Sequence, residues 1–538
     1  MAAIVNETHT EKRIEPVTEQ EACISDYIRL NAGGEDYSEL TRNDNRFFVQ
    51  YHFNDYRSSI LRWYPFRENS RVLEIGAEFG ALTGALCDRT AEVISVVDSR
   101  FQARMLKERY SGRDNLTIAV SGLDEFEEDD VYDYIICFSK LEHADDPCSF
   151  LSGLRRHLKK DGIILLEAEN KYGIDNLCGK RDSHSGSPFE SLAGYPDRRL
   201  GKGFHRQELI DTIKKAGYSG YRFYYPVPDH IAPHAIYTDD YQPEQNMGER
   251  LVTYDADPST LVADTRAFFL EASANGVFSF VANSFLVEIS DADIKTDIDY
   301  ITLTGYRSRK CAFATMICRD ETVRKRCLYP DGSEYAKGLC EKADMLKSRG
   351  INVLGMKLEK DTLLMDRIKA PTFQQHIAGI AADKCGKDEL FRMYDLMWGN
   401  ILKSSDPGGE CSFDNRGMDL GPVLKDAFLE LIPLNSFWIN DDILYFDQEY
   451  VRHDYPAKYI MFRCIIHSYG QIGDLKSIVP RKDMYDHFGI DPNMAGLFTE
   501  IESALSRDEN PGMFFLPQGR NEEQMKRNRE SLGKSDGR

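Results

Sequence analysis

The 538-residue chain is short of cationic charge: 67 Lys and Arg stand against 88 Asp and Glu, a net charge of −21. Neutralising a phosphate backbone needs clustered Lys and Arg, so nucleic acid is excluded as an expected partner. No window approaches the roughly 18 to 20 apolar residues that span a bilayer, so any membrane association is expected to be peripheral. None of the twelve cysteines stands in a C-x-x-C pair, and no N-terminal apolar run marks export. Both absences point to a reduced, cytoplasmic protein.

A chain of this length favours two large domains, or three, and its 42% hydrophobic content supplies a core for each. The most informative stretch is Arg71-Val-Leu-Glu-Ile-Gly-Ala-Glu-Phe-Gly80, an apolar strand running into a glycine turn and then a helix. Such a turn brings backbone N–H groups close to a bound nucleoside, because a side chain at Gly76 would block the approach. A dinucleotide pyrophosphate wants G-x-G-x-x-G. Here only Gly76 and Gly80 are present, and Glu78 stands where the middle glycine would lie.

Further strands are expected at Glu92–Asp98, Leu116–Val120, Tyr132–Phe138, Ile163–Ala168, Tyr221–Tyr225 and Phe278–Ile289, with helices between them. Asp98 ends the second strand, where a carboxylate suits ribose hydroxyls. Gly122 and the backbone N–H of Leu123 follow the third and are placed against an adenine ring. Ser139-Lys-Leu-Glu-His143 follows the fourth, at the strand ends where open α/β sheets bind ligands. His143 is the candidate general base, although a single histidine is more often structural. Residues 1 to about 20 are polar and expected to be mobile, and Tyr56–Tyr64 reads as a helix that caps a ligand or packs on the sheet. The long loop at 171–200 and the insertion of about fifty residues after Tyr225 would form the pocket for a second ligand, with Asn170, Asp229 and His230 as its contacts.

The V-L-E-I-G-x-E-x-G turn and the L-E-H segment resemble class I methyltransferases that use S-adenosylmethionine. The succession N-K-Y-G, C-G, P-V-P-D-H and A-N-S-F-L-V-E-I is similar to those of bacterial surface-polysaccharide biosynthesis. The resemblance covers residues 45 to 292. It implies a Rossmann-like seven-stranded α/β domain, S-adenosylmethionine held by Glu74, Gly76, Gly80, Asp98, Gly122, Leu123 and Ser139, and a glycan or other small-molecule acceptor. Peripheral association with a polysaccharide-assembly complex also follows from it.

Beyond Asp291 the character changes, with strands expected at Thr302–Cys318 and Glu321–Leu328. Glu430-Leu-Ile-Pro-Leu-Asn435, a turn at Asn440-Asp-Asp442 and Asp447-Gln-Glu449 together resemble aminoglycoside phosphotransferases and related small-molecule kinases, over residues 298 to 500. The resemblance implies an α+β protein-kinase-like domain in which Lys325 pairs with Glu341 and Asn435 and Asp447 hold Mg2+ with ATP. Glu430 takes the catalytic carboxylate's place, where kinases carry Asp, and no G-x-G-x-x-G precedes Lys325.

The expected organisation is an N-terminal extension at 1–45, a methyltransferase domain at 46–292, a kinase-like domain at 298–517 and a polar tail at 518–538. Three functions stay open: a glycan methyltransferase whose second domain only binds, a bifunctional kinase and methyltransferase that caps a polysaccharide end, and a non-catalytic binding module.

Overall fold

A computed structural model describes residues 3–7, 15–122, 126, 131–243, 257–382, 386–509 and 522–533. The chain divides into two compact units. The first comprises Met1–Asp320, Leu328–Pro330 and Pro511–Arg538, and the second Glu321–Cys327 with Asp331–Asn510.

The first unit is built on a mixed sheet. Its parallel half contains β1 (Ala3–Glu7), β2 (Arg71–Ile75), β3 (Glu92–Val97), β4 (Leu116–Val120), β5 (Tyr132–Cys137) and β6 (Leu158–Glu169), in the spatial order β1-β4-β3-β2-β5-β6. The antiparallel half adds β7 (Gly220–Val227), β8 (Ala235–Thr238), β9 (Ser284–Ser290), β10 (Ile298–Leu303) and β11 (Phe313–Cys318), continuing from β6 as β9-β7-β8-β10-β11. All seven expected strands are present and consecutive in space, the last inserted between the fifth and sixth. β2 and β5 are buried almost throughout, as expected of parallel strands covered on both faces, and the antiparallel β9 at the centre of the sheet is buried along its whole length.

Four expectations change. The N-terminal segment contributes β1, paired in parallel with β4 from Ala3↔Thr117 onward. The expected strand from Phe278 begins as a short helix, Phe278–Val281, and becomes extended only at Ser284. The boundary at 292 to 298 moves, because Ile301 and Thr302 of β10 pair with Ile236 and Ala235 of β8 and β11 pairs with β10. Those two strands extend the first sheet and belong to the first unit. The polar tail carries a helix, Glu522–Gly533, that buries Met525 in the first unit's core and donates from Asn528 Nδ2 to the Leu261 carbonyl at 2.7 Å.

The second unit starts with three antiparallel strands, β12 (Thr322–Cys327), β13 (Lys357–Glu359) and β14 (Thr362–Asp366), in the order β12-β14-β13 with helix Ser333–Ser348 beside them. Helices Phe373–Ala382, Lys387–Lys403, Ala457–Gln471 and Pro492–Glu509 follow, with two hairpin-like pairs between them. One joins β15 (Val423–Phe428) to β18 (Val451–Pro456), and the other β16 (Ser436–Ile439) to β17 (Asp442–Tyr445).

Candidate active site

At the carboxyl end of β2 the chain turns through Gly76 (φ 73°), Glu78 (φ 50°) and Gly80 (φ 82°). A Cβ at Gly76 would lie 1.8 Å from Lys140 Cε, which a flexible lysine can vacate, so it is the positive φ that favours glycine here. At Gly80 the same position lies 2.5 Å from Leu106 Cδ1, so this glycine lets helix Arg100–Arg109 close on the turn. Glu74 is buried beneath the loop, accepting from Thr83 Oγ1 at 2.7 Å and Ser95 Oγ at 2.6 Å. Burial pushes its pKa up to about 7, and the two hydroxyls offset only part of that. Its observed contacts make it a brace of the turn.

Asp98 sits exposed at the end of β3, its Oδ2 3.2 Å from Lys140 Nζ. Gly122 follows β4, and its carbonyl accepts from Ser121 Oγ at 2.8 Å. Leu123 lies outside the described residues. A bent glycine turn at positive φ, together with a solvent-facing carboxylate on the next strand, fits a nucleoside with free ribose hydroxyls.

Ser139, at φ 53° after β5, donates its N–H and its hydroxyl to Glu167 Oε2, both at 3.1 Å. Glu167, fully buried near the end of β6, sets its other oxygen 3.2 Å from His230 Nδ1. Burial, reinforced by the charges of Glu142 and Glu169, holds the Glu167 carboxyl well above the ordinary range. His230 is held well below its ordinary value by burial and by the positive charges of Arg57 and Lys180. Glu142 Oε1 accepts from the Glu169 N–H at 3.0 Å, and burial raises its pKa to about 8.

His230 lines a cavity of about 290 Å³ together with Asp229, Glu169, Asn283, Lys180 and Arg181. Lys180 pairs with Asp175 at 2.7 Å and Arg181 with Asp257 at 2.9 Å, so both cations are neutralised in place. Asp229 uses Oδ1 to hold the Ile231 and Ala232 N–H groups. Asn170 corrects the sequence expectation. Its amide donates to the Phe280 and Ala282 carbonyls at 2.8 and 2.7 Å while its Oδ1 accepts from the Tyr172 N–H, so it fastens the loop and has no donor left for a ligand. His143 is exposed, edge-on to His184 at 5.3 Å. Burial, His184 and Lys140 lower its pKa.

In the second unit, Lys325 Nζ donates to Asp447 Oδ1 and Glu449 Oε1. Burial opposes the ammonium, but the two carboxylates outweigh it and raise its pKa. Glu341 is not the partner: it is 68% exposed and faces Lys337 one turn away at 3.9 Å. The neighbouring Lys342 turns inward instead and donates to the Glu449 carbonyl. Helix phase decides this, since adjacent residues point about 100° apart. Glu430 Oε2 accepts from the Glu449 and Tyr450 N–H groups at 2.5 and 3.2 Å, and Asn435 Nδ2 lies 3.3 Å from Oε1. Burial, with the charges of Glu449 and Asp447, pushes the Glu430 pKa up to about 8.

Sequence reasoning missed Glu142, Glu167, Lys140 and Arg57. A legible signal existed for Glu167, an acid inside the apolar run Ile163–Ala168, because such a residue is either paired or functional.

Residues 48–221 match the family model described as a methyltransferase domain. The ubiquinone biosynthesis O-methyltransferase of Rickettsia typhi is 25% identical over 105 residues, 19% of this chain and 42% of that protein; the match thus spans less than half of that relative's length. Among solved structures, an S-adenosylmethionine-dependent methyltransferase of Thermotoga maritima aligns at 15% identity with a TM-score of 0.30, covering 48% of this chain and 98% of its own. Phosphoethanolamine N-methyltransferase 1 of Haemonchus contortus, in complex with phosphoethanolamine and S-adenosylhomocysteine, aligns at 12% identity with a TM-score of 0.30, covering 52% and 50%. The first unit carries an S-adenosylmethionine-dependent methyltransferase domain of class I.

Proposed function

We propose that this protein methylates a sugar hydroxyl of a surface glycan or its precursor, using the methyltransferase domain of its first unit. The observation that carries the reading is the cavity around His230. Most of its lining residues carry polar side chains, and its two cations pair with Asp175 and Asp257. A phosphate acceptor would need an uncommitted cation there, whereas a polyol needs carboxylates and amides to receive and donate hydrogen bonds. Hydroxyl methylation is favoured over phosphate methylation on this ground.

Gly76 and Gly80 would give S-adenosylmethionine its turn and Asp98 would hold the ribose. The sulfonium supplies an activated methyl group, so the chain has only to align the acceptor and take its proton. His230 is placed to take that proton, because it lines the cavity and has Glu167 behind Nδ1. Glu167 Oε1, 3.2 Å from Nδ1 though not aligned as a hydrogen bond, favours the proton on Nδ1 through its charge, which leaves Nε2 to accept. His143 packs edge-on to His184, whose Nε2 lies 3.9 Å from the lining residue Glu169, so it stands behind the cavity wall and would act only by orienting the acceptor side of the site.

A second reading concerns the other unit. Lys325, Glu430, Asn435, Asp447 and Glu449 lie together, and their carboxylate and amide oxygens suit a hard divalent cation carrying phosphates. Glu430 is occupied by the Glu449 and Tyr450 N–H groups, which supports nucleotide binding with little phosphoryl transfer. Mass spectrometry of defined glycan acceptors with S-adenosylmethionine, with and without ATP and magnesium, tests both readings. Methyl gain without ATP supports the first, gain only with ATP supports a bifunctional enzyme, and no gain on any glycan removes the glycan assignment.

A further inference from the structure

Three carboxylates gather beside the cavity that His230 lines. Glu169 forms part of its wall. Glu167 lies two residues earlier on β6, on the same face of the strand and about 6.5 to 7 Å along it. Glu142 accepts the Glu169 N–H through Oε1 at 3.0 Å. Among the described residues no lysine or arginine comes within 4 Å of any of the three, and their basic neighbours at that distance are His230, 3.2 Å from Glu167 Oε1, and His184, 3.9 Å from Glu169 Oε2. The cations of the lining, Lys180 and Arg181, pair with Asp175 and Asp257 instead.

This corner also holds polar atoms that meet nothing. Glu142 Oε2 and Glu167 Oε1 are buried without a hydrogen bond, and so is Nε2 of His184, whose side chain is 8% exposed and turned toward Glu169. Burial raises the pKa of all three acids, that of Glu142 to about 8, so nearby positive charge does not offset the loss of water. A group that satisfies them brings positive charge and hydrogen-bond donors.

Spacing decides which cation fits. Among the described residues only Asp297, Cys318 and Asp320 bring three metal-ligating atoms within 4.8 Å of one another, so the acids and histidines here do not close on a single metal ion, whose ligands lie within about 2.0 to 2.6 Å of it. An ammonium has three N–H donors and reaches each acceptor at about 2.7 to 2.9 Å, which suits wider spacing. The cavity, at about 290 Å³, is at the small end of ligand pockets and takes one small molecule, so the ammonium belongs to the acceptor.

We propose that the acceptor is an amino sugar with a free primary amine, its ammonium seated on Glu169 while a hydroxyl of the same sugar faces His230. The proposal rests on the glycan methyltransferase reading and narrows it. No bond forms or breaks at the ammonium: a protonated nitrogen has no lone pair with which to take a methyl group, so transfer goes to the hydroxyl oxygen.

Methyl transfer from S-adenosylmethionine by the full chain, read by mass spectrometry, tests this on glucosamine, galactosamine and mannosamine, each beside its N-acetyl form and its parent hexose. In at least one set the free amine should give a kcat/KM roughly 10- to 100-fold above both companions, the effect of one hydrogen bond between charged groups. Glu169→Gln keeps an oxygen for Ser183 Oγ, now 2.6 Å from Oε2, and loses the charge. It should raise KM for the amine about ten-fold or more and leave KM for the parent hexose within about two-fold. Glu169→Asp, which restores the charge, should recover part of the preference, and unchanged S-adenosylhomocysteine affinity by calorimetry shows that both variants are folded. Equal or better use of the parent or N-acetyl sugar, or equal KM losses on amine and parent in Glu169→Gln, overturns the assignment and leaves the glycan reading standing. No transfer to any of the sugars while S-adenosylhomocysteine still binds removes the glycan reading, and this narrowing with it.

Discussion

Lys140 Nζ lies 3.2 Å from Asp98 Oδ2, and the stem of Lys140 crosses the space above Gly76. The residue after Ser139 thus bridges the glycine turn and the strand-end acid proposed for the ribose, and a nucleoside settling on Gly76 must move that stem aside. Asp98→Ala should weaken S-adenosylhomocysteine roughly 10- to 100-fold, the loss of a hydrogen-bond pair to a charged group. Gly76→Arg should abolish binding, since its side chain would occupy the nucleoside's place and the positive φ there disfavours any residue but glycine. Calorimetric affinities equal to wild type in both variants would show that the site lies elsewhere.

Methyl transfer should rise with pH because Glu167 and His230 act as a pair. Burial and the neighbouring Glu142 and Glu169 charges favour the protonated Glu167 carboxyl, and without a negative charge 3.2 Å from Nδ1 the ring is not drawn to the tautomer that leaves Nε2 free. Raising the pH removes one proton from the pair and frees Nε2. His230→Gln should lower kcat by about 100-fold or more with unchanged cofactor affinity. Glu167→Gln should flatten the pH dependence, because an amide has no proton to lose. A pH profile identical to wild type in Glu167→Gln would sink the pairing.

Two acids of the first unit make stability fall with rising pH. Glu74 at about 7 and Glu142 at about 8 are raised by burial above the ordinary glutamate value, so the folded state holds protons that the unfolded state releases. Their contribution is complete below about pH 4.5 and declines as the pH climbs toward 7 for Glu74 and 8 for Glu142. Glu142→Gln, whose amide oxygen can still accept from the Glu169 N–H, should reduce that decline and raise the urea midpoint at pH 8 relative to wild type. An equal midpoint shift at pH 5 and pH 8 would contradict the assignment.

In the second unit, Glu341→Ala should leave binding of ADP with magnesium unchanged, whereas Asp447→Ala should abolish it. Glu430→Ala should weaken it about ten-fold or more, because the Glu430 carboxylate positions the Glu449 and Tyr450 N–H groups and hence the turn that carries Asp447. Fluorescence titration with a nucleotide analogue reads all three. A loss on Glu341→Ala would restore the pairing that the exposed side chain argues against.

The chain by itself determined what depends on local pattern. Apolar runs such as Val72–Ile75 and Tyr134–Cys137, the glycines at 76 and 80 and the spacing from Glu430 to Asp447 act over one strand, turn or hairpin. Their period and steric demands survive in one dimension, and the seven strands were legible for that reason, whereas Lys325 meets Asp447 and Glu449 across 122 and 124 residues. What tertiary structure alone decided is which groups face one another across large sequence separations. β11 was readable within the expected strand Thr302–Cys318, but only its pairing with β10, and that of β10 with β8, assigns it to the first sheet. Helix phase places Lys342 inward and Glu341 outward by a rotation that no short pattern around them records. Asn170 looked available as a ligand until the loop brought the Phe280 and Ala282 carbonyls to it, 110 and 112 residues away in sequence. Arg57 carries no motif at all. Folding alone buried its guanidinium and left Nε and Nη1 without hydrogen-bond partners, because an unmet hydrogen bond is a property of three-dimensional packing.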